Sequence, residues 1–254
     1  MPILVVPETA STQDELLRAV ADRADEWPHL SGLRAERQHR GRGRSGREWD
    51  TAGVRALTVS YVLRPAAPVE TWGTIALRAG VAVINALAAR GIDTRLKWPN
   101  DIVVRSSEDV AGWHGIKKVG GILGTVGSDS EGVPVCIVGI GLNLEGDVGV
   151  PSGASLGTGA PADDLAHEIR AELARAIPAD APELPEIDAA VASHCHTLGK
   201  QVAVHFPEGA EPREITGTAT RIDPDGALVV ETSTGMRRIL NGDIAHTRLQ
   251  APLG

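Results

Sequence analysis

The sequence predicts an α+β fold, a mixed sheet flanked by helices with a small all-β module behind it. Three observations lead there. Strand-like runs and helical stripes alternate between Leu57 and Ile177. The run 133–140 is nearly all apolar, as a central strand covered on both faces is. After Gly199 the texture changes to short alternating segments broken by turns. With 254 residues and 42% hydrophobic content, the chain is long enough for one sizeable core plus a small module. These readings place a large unit at 1–198 and a small one at 199–254.

Taken in order, Ser11-Thr12 precedes a helix beginning near Asp14, where a hydroxyl residue caps the exposed N–H groups. Leu57, Val59, Tyr61 and Leu63 alternate with Thr58, Ser60 and Val62 as in a half-buried strand, which Arg64-Pro65 ends. Trp72, Ile75, Ala76, Ala79, Val83 and Leu87 recur at helical spacing, and Gly91 supplies a stop. Strands follow at 95–98, 102–104, 119–126 and 133–140. Leu165, Ile169, Leu173 and Ile177 form a second helical stripe closed by Pro178, and a connection rich in proline and acids leads into a short helix at 187–198. Beyond Gly199, strands are predicted at 201–206, 214–222, 227–231 and 236–240, with Pro224-Asp225-Gly226 as a turn.

Composition narrows the function. A net charge of −8 and 3% aromatic residues argue against a broad nucleic-acid footprint and leave few stacking platforms. Against that background Arg34, Arg37, Arg40, Arg42, Arg44 and Arg47 stand beside one acid, Glu36, a local concentration suited to a compact anion. Cys136 and Cys195 lack metal or redox spacing, and His194-Cys195-His196 reads as a surface or turn segment. No apolar run reaches the ~18 to 20 residues that span a bilayer, and the first residues do not read as a cleavable leader. A cytoplasmic protein without a membrane partner is the expectation.

Five segments carry chemistry. Gly41-Arg-Gly-Arg-Ser-Gly-Arg-Glu-Trp49 combines glycines, which let backbone N–H groups approach a ligand, with guanidinium forks matched to phosphate and carboxylate. Alone it favours anion binding only slightly over a flexible solvated loop or a small RNA-contacting patch. Lys97-Trp-Pro-Asn-Asp101 ends a strand in a polar cluster, with Lys97 solvated in the plainest reading. In Lys117-Lys-Val-Gly-Gly-Ile-Leu123, strand alternation puts Lys118, Gly120 and Ile122 on one face and Val119, Gly121 and Leu123 on the other; glycine inside a strand marks a close approach. Gly139-Ile-Gly-Leu-Asn143 and Ser11-Thr12 complete the set, with a turn and a helix cap as their ordinary readings.

In this order and spacing the segments resemble the biotin protein ligase family, over most of the chain. GRGRxGRxW and KWPND are the most specific marks. The resemblance implies a catalytic unit like the class II aminoacyl-tRNA synthetases followed by an SH3-like barrel. It implies ATP and biotin as substrates, with Mg²⁺, and transfer through biotinyl-5′-AMP to a lysine of a biotin carboxyl carrier domain in an acyl-CoA or pyruvate carboxylase. Position by position, Ser11, Thr12 and Gln38, with backbone from Gly41 and Arg42, would hold the ureido head. Gly121 would let the ring system lie on the strand, and Lys118 would contact the biotin carboxylate and α-phosphate. Arg44 and Arg47 would hold phosphates, Trp49 and Asn143 would lie beside the nucleotide, and Arg248 would reach it from the barrel. Asp101 would contact Mg²⁺ or ligand. The catalytic set is then Lys118, Arg44 and Arg47.

Two departures stand out. Gln13 occupies a position where the family usually has asparagine, and the polar stretch 105–115 is longer than the usual link, which predicts a surface insertion. Lipoate ligases share the adenylation chemistry but not GRGRxGR. A biotin-responsive repressor would need a helix-turn-helix before Ser11, where ten residues stand, so no specific DNA binding is expected. The chain is expected as a monomer or homodimer.

Overall fold

A computed structural model describes residues 3–51, 53–186, 188–206 and 213–247. Its main body is a seven-stranded sheet in the order β1-β2-β5-β9-β8-β7-β6. These strands are β1 (Ile3–Thr9), β2 (Gly32–Gln38), β5 (Val54–Leu63), β6 (Arg95–Lys97), β7 (Asp101–Arg105), β8 (Ile116–Ser128) and β9 (Pro134–Gly146). The pair β1–β2 is parallel and the others are antiparallel. A two-stranded hairpin, β3 (Gly41–Arg42) with β4 (Glu48–Trp49), stands apart.

Helices cover the two faces unequally. On one, α2 (Ile75–Ala88) and α3 (Ala162–Ala176) pack with Leu57, Val59, Tyr61, Val138, Ile140 and Leu142 in the main core. The Tyr61 hydroxyl donates to the Ala166 carbonyl at 2.6 Å, and Arg34 crosses from β2 to Asp163 at the start of α3, also at 2.6 Å. The segment Val69–Ala88 is long and apolar enough to cross a membrane by length and composition, contrary to the sequence reading. Here it is mostly buried, because its apolar surface is covered by the sheet and α3.

On the other face lies α1 (Thr12–Asp22), capped by the Ser11 side chain, which accepts from the Asp14 N–H at 3.3 Å. Leu16 and Val20 join Leu33, Val62, Val135 and Ile137 in a smaller cluster. That helix shields part of the face and leaves the rest open for a site.

The strand at 57–63 therefore differs from its expected half-buried form. It is covered on both sides, with Leu57, Val59, Tyr61 and Leu63 against the helices and the small polar Thr58 and Ser60 on the α1 face.

After α4 (Asp188–His194), five antiparallel strands form a second sheet in the order β13-β12-β11-β10-β14. They are β10 (Gln201–His205), β11 (Glu214–Ile222), β12 (Leu228–Thr232), β13 (Gly235–Ile239) and β14 (Asp243–His246). The turn at 224–226 lies between β11 and β12, with Gly226 at a φ of 89°. The strands β1, β2, β3, β4 and β14 add to those read from the sequence. The two sheets meet at Lys97 and Trp98, whose bond to Pro99 is cis. Trp98 donates from its backbone to Thr197 Oγ1 and from its indole to the Gly226 carbonyl, at 3.1 and 3.0 Å.

His246 sits at this junction with both ring nitrogens buried and unpaired, 5.4 Å from the His196 ring. Burial, followed by the Lys97 charge, holds its pKa down at about 3. An unfolded chain takes up a proton near the ordinary histidine value of 6.5 that the native state refuses, so this residue lowers stability as pH falls from there towards 3. His246→Leu should match or exceed the parent's urea midpoint at pH 7 and decline less steeply between pH 6.5 and 4. Parallel declines would mean that the imidazole is not held neutral.

Candidate active site

Beyond the end of α1 the open face of the sheet loses its side chains. Along β9 the residues on this face run Val135, Ile137, Gly139, Gly141, Asn143: two that α1 covers, then two with no side chain. Gly121 of β8 extends the bare patch. The result is the floor of a cavity of about 290 Å³, lined among others by Ser11, Thr12, Gln38, Arg42, Arg44, Arg47, Trp49, Asp101, Lys118 and Gly121. Ten of the residues singled out from the sequence thus share one concavity of the size of a small-molecule site.

Its inner end is neutral and polar. Gln38 Oε1 accepts from the Thr12 N–H at 3.0 Å and from the Thr12 hydroxyl at 3.2 Å, while Thr12 Oγ1 lies 2.9 Å from Ser60 Oγ. Gly41 lies outside the lining but is sterically required, because a Cβ there would come within 2.3 Å of Gln38 Nε2 and of the Trp49 carbonyl.

The outer end is cationic. Lys118 Nζ sits 2.6 Å from Asp101 Oδ1, and Lys97 Nζ lies 3.9 Å from the other oxygen of the same carboxylate. Lys97 is not the solvated strand-end residue of the sequence reading. It is 4% exposed and donates to the Ile244 carbonyl at 2.6 Å, with Trp113 4.4 Å away. Burial lowers its pKa, and Asp101 opposes that shift.

Asp101 is thus placed between two ammonium groups. No group of three or more His, Cys, Asp or Glu suited to a metal occurs among the described residues. The Asp101 carboxylate is engaged in ion pairs with both lysines.

Lys118 reaches the cavity through a bulge. Ile102 pairs with Gly120 and Val103 with Lys118, so Val119 is an extra residue and the alternation slips by one. Lys118 and Gly121 consequently share the cavity face, whereas Gly120 and Ile122 turn to the helices, correcting the simple alternation read from the sequence. A Cβ on Gly121 would lie 3.4 Å from Lys118 Nζ and 3.5 Å from the Trp49 ring. Lys117 points elsewhere and pairs with Glu108 at 2.7 Å.

The arginine segment is less concentrated than its sequence implies. Arg34 belongs to the far face, Arg42 pairs with Asp14 at 2.5 Å, Arg44 reaches Asn241 and the Gly242 carbonyl, and Arg47 pairs with Asp243. Mutual repulsion is therefore offset by partners on α1 and on the segment leading into β14. The hairpin places the Trp49 ring on the glycine floor, where a Cβ on Gly141 would come within 2.6 Å of it. Lys118 Nζ lies 5.4 Å from the same ring, and the indole N–H is buried without a partner.

Asn143 follows Gly141 on this face just outside the lining. Its side chain donates to the Ala154 carbonyl at 3.2 Å, and its buried Oδ1 is unpaired. Arg248 lies outside the described residues.

Sequence reasoning missed four contributors: Ser60, Lys97, Trp113 and Asp243, all of which line the cavity. Trp113 comes from the stretch expected to be a surface insertion, which Gly112 ties to His246 through a backbone bridge. A tryptophan amid polar residues was a usable signal. Asp243 had none, since its role depends on the second sheet.

The sequence pattern of the biotin/lipoate A/B protein ligase family matches residues 5–143, and that of the biotin protein ligase C-terminal domain matches residues 197–247. The chain belongs to this family. It is 32% identical to the biotin--[acetyl-CoA-carboxylase] ligase of Mycobacterium tuberculosis over 96% of its own length and 88% of that protein's. It is 28% identical to the bifunctional ligase/repressor BirA of Bacillus spizizenii, covering 94% of this chain and 71% of the relative. Among solved structures, the Aquifex aeolicus biotin protein ligase in complex with biotin and ATP superimposes with a TM-score of 0.70 at 25% identity, covering 97% of this chain and 98% of the other.

The ion pair between Arg47 and Asp243 generates a direct test. Asp243→Asn should speed hydrogen exchange of backbone amides between Gly43 and Trp49, read by mass spectrometry, while β5 and β9 keep their protection. Unchanged loop exchange would show that the pair does not restrain the hairpin.

Proposed function

We propose that the chain is a biotin protein ligase, which joins biotin to ATP as biotinyl-5′-AMP and transfers biotin to a lysine of a biotin carboxyl carrier domain. The observation that carries the reading is the polarity of the cavity. One end offers neutral hydrogen-bonding groups, Thr12, Gln38 and Ser60, the other offers cations, and a floor without side chains joins them.

Biotin has the matching shape, a neutral ureido head and a carboxylate at the end of an apolar tail. With the head among Ser11, Thr12 and Gln38 and backbone from Gly41 and Arg42, the carboxylate lies towards Lys118. A carboxylate oxygen then attacks the α-phosphorus of ATP, the bond to the β-phosphate oxygen breaks, and pyrophosphate leaves. Two anions must meet, so the barrier falls where fixed positive charge stands beside the growing negative charge. Lys118, Arg44 and Arg47 supply that charge, and magnesium enters with the triphosphate as part of the MgATP substrate.

In the second step the neutral acceptor amine attacks the anhydride carbonyl, AMP leaves with the bonding pair, and the nitrogen gives up a proton to solvent as the amide forms. No nucleophile from the enzyme is needed. The site's contribution is positioning and exclusion of water, for which the hairpin carrying Trp49 is suitably placed. Trp49, Asn143 and Arg248 are proposed on the nucleotide side. The unpaired indole N–H of Trp49 and Oδ1 of Asn143 offer a donor and an acceptor there.

The acceptor is proposed to be the carrier domain of an acyl-CoA carboxylase, in keeping with the name of the mycobacterial relative, with pyruvate carboxylase as a second source. A cytoplasmic setting, the division of the chain near Gly199, and a monomeric or homodimeric state belong to the same proposal. The described residues before Ser11 form β1 of the main sheet, paired with β2, and not a DNA-binding helix pair.

Biotin-dependent exchange of pyrophosphate into ATP, followed by mass measurement of a carrier domain one biotin heavier, is the expected result. Exchange supported by lipoate and not biotin would overturn the reading. Lys118→Ala should lower exchange by about 100- to 1000-fold, as removal of one transition-state donor does. Lys117→Ala, on the other side of the strand, should leave it near normal. Equal effects of the two substitutions would remove Lys118 from the mechanism.

A further inference from the structure

We propose that Gln13 is a positioning residue for the biotin head, acting through Ser60 and Thr12, and that Gly139 is the residue that makes room for it. The inference rests on the biotin ligase reading above.

Gln13 is 3% exposed, on the first turn of α1, and lines the inner end of the cavity. Its amide nitrogen donates to the Ile137 carbonyl at 2.8 Å and Thr125 Oγ1 at 3.0 Å, with the Leu123 carbonyl at 3.3 Å. Two of these three partners are carbonyl oxygens, which only accept, so the amide cannot be turned over without setting oxygen against oxygen. The carbonyl oxygen Oε1 is thereby aimed at Ser60, whose hydroxyl donates to it at 3.2 Å.

That fixed amide sets the direction of the next bond. Ser60 has one hydrogen, and Gln13 receives it. The 2.9 Å contact between Ser60 Oγ and Thr12 Oγ1 therefore has Thr12 as donor, its one hydrogen shared between Ser60 Oγ and Gln38 Oε1, the latter at 3.2 Å. The Thr12 oxygen keeps its lone pairs for the cavity, where an N–H of a cyclic urea is the matching partner. If Gln13 were withdrawn, the Ser60 hydrogen would be free to turn to Thr12 and occupy a lone pair that the substrate needs.

The fit depends on Gly139. A Cβ there would stand 2.5 Å from Gln13 Oε1 and 3.4 Å from both Gln13 Cδ and Ser60 Oγ, so any side chain at this position would push the amide oxygen off its line. Gln13 and Gly139 thus form a matched pair of long and absent side chains.

The test is the Michaelis constant for biotin in pyrophosphate exchange, for full-length Gln13→Asn, Gly139→Ala, Ser60→Ala and the doubles Gln13→Asn/Gly139→Ala and Gln13→Asn/Ser60→Ala. Failure of the parent chain to exchange with biotin would count against the ligase reading and not against the pair. Given parent activity, each single variant should raise the biotin KM by about tenfold, the worth of one well-placed hydrogen bond. The KM for ATP and kcat should stay within about threefold.

Gln13→Asn and Gly139→Ala break the same hydrogen bond, so the first double should be no worse for biotin than either single variant. Adding Gln13→Asn to Ser60→Ala should have no further effect, because the relay is already cut. An unchanged biotin KM in Gln13→Asn, or independent effects in both doubles, would overturn the proposal. If Gly139→Ala fails to fold, Gln13→Asn and the Ser60 double decide the matter.

Discussion

Along β9 the open face of the sheet changes from Val135 and Ile137, which α1 covers, to Gly139 and Gly141, which leave the backbone bare. The rest of the site answers to that change. A floor without Cβ atoms admits the Trp49 ring within van der Waals reach of Gly121 and gives Gln13 space beneath Gly139. It also lets a flat ring system lie directly on peptide groups. Residues elsewhere in the chain meet here because this is where the sheet leaves room.

Charge is organised by the same principle of placement. Asp101 lies beside Lys118 and near Lys97, while Asn241 and Asp243 take Arg44 and Arg47. Each cation is aimed by an oxygen that a phosphate or carboxylate of a substrate can replace. The positive potential at one end of an acidic protein is therefore the product of several weakly spaced partners drawn from both sheets, and not of an arginine cluster acting alone.

Much of this was legible in the sequence. The stripe from Trp72 to Leu87, the apolar run of β9 and the change of texture after Gly199 gave the main elements, because packing in those places follows simple periodicity. The strand β2 was not read: Arg34, Glu36 and Arg37 make it look polar, and Arg34 is buried in a salt bridge to Asp163 of α3 that no local pattern announces. The bulge at Val119 reversed the expected facing of Lys118, since an extra residue in a ladder leaves no mark on alternation until the partner strand is known. Ten site residues were recognised from their motifs, whereas Ser60 looked like an ordinary polar position in an alternating strand.

Lys97 gives the junction between the sheets a further meaning. Its buried ammonium group relies on the Ile244 carbonyl, and the neighbouring Trp98 indole relies on Gly226, both from the second sheet. Separating the two parts would strand a desolvated charge in one and open the wall of the cavity in the other. A chain severed near Gly199 would therefore yield a first fragment lacking both a finished site and a satisfied interior, and chimeras that exchange the second sheet between relatives would have to preserve a carbonyl position as carefully as any side chain.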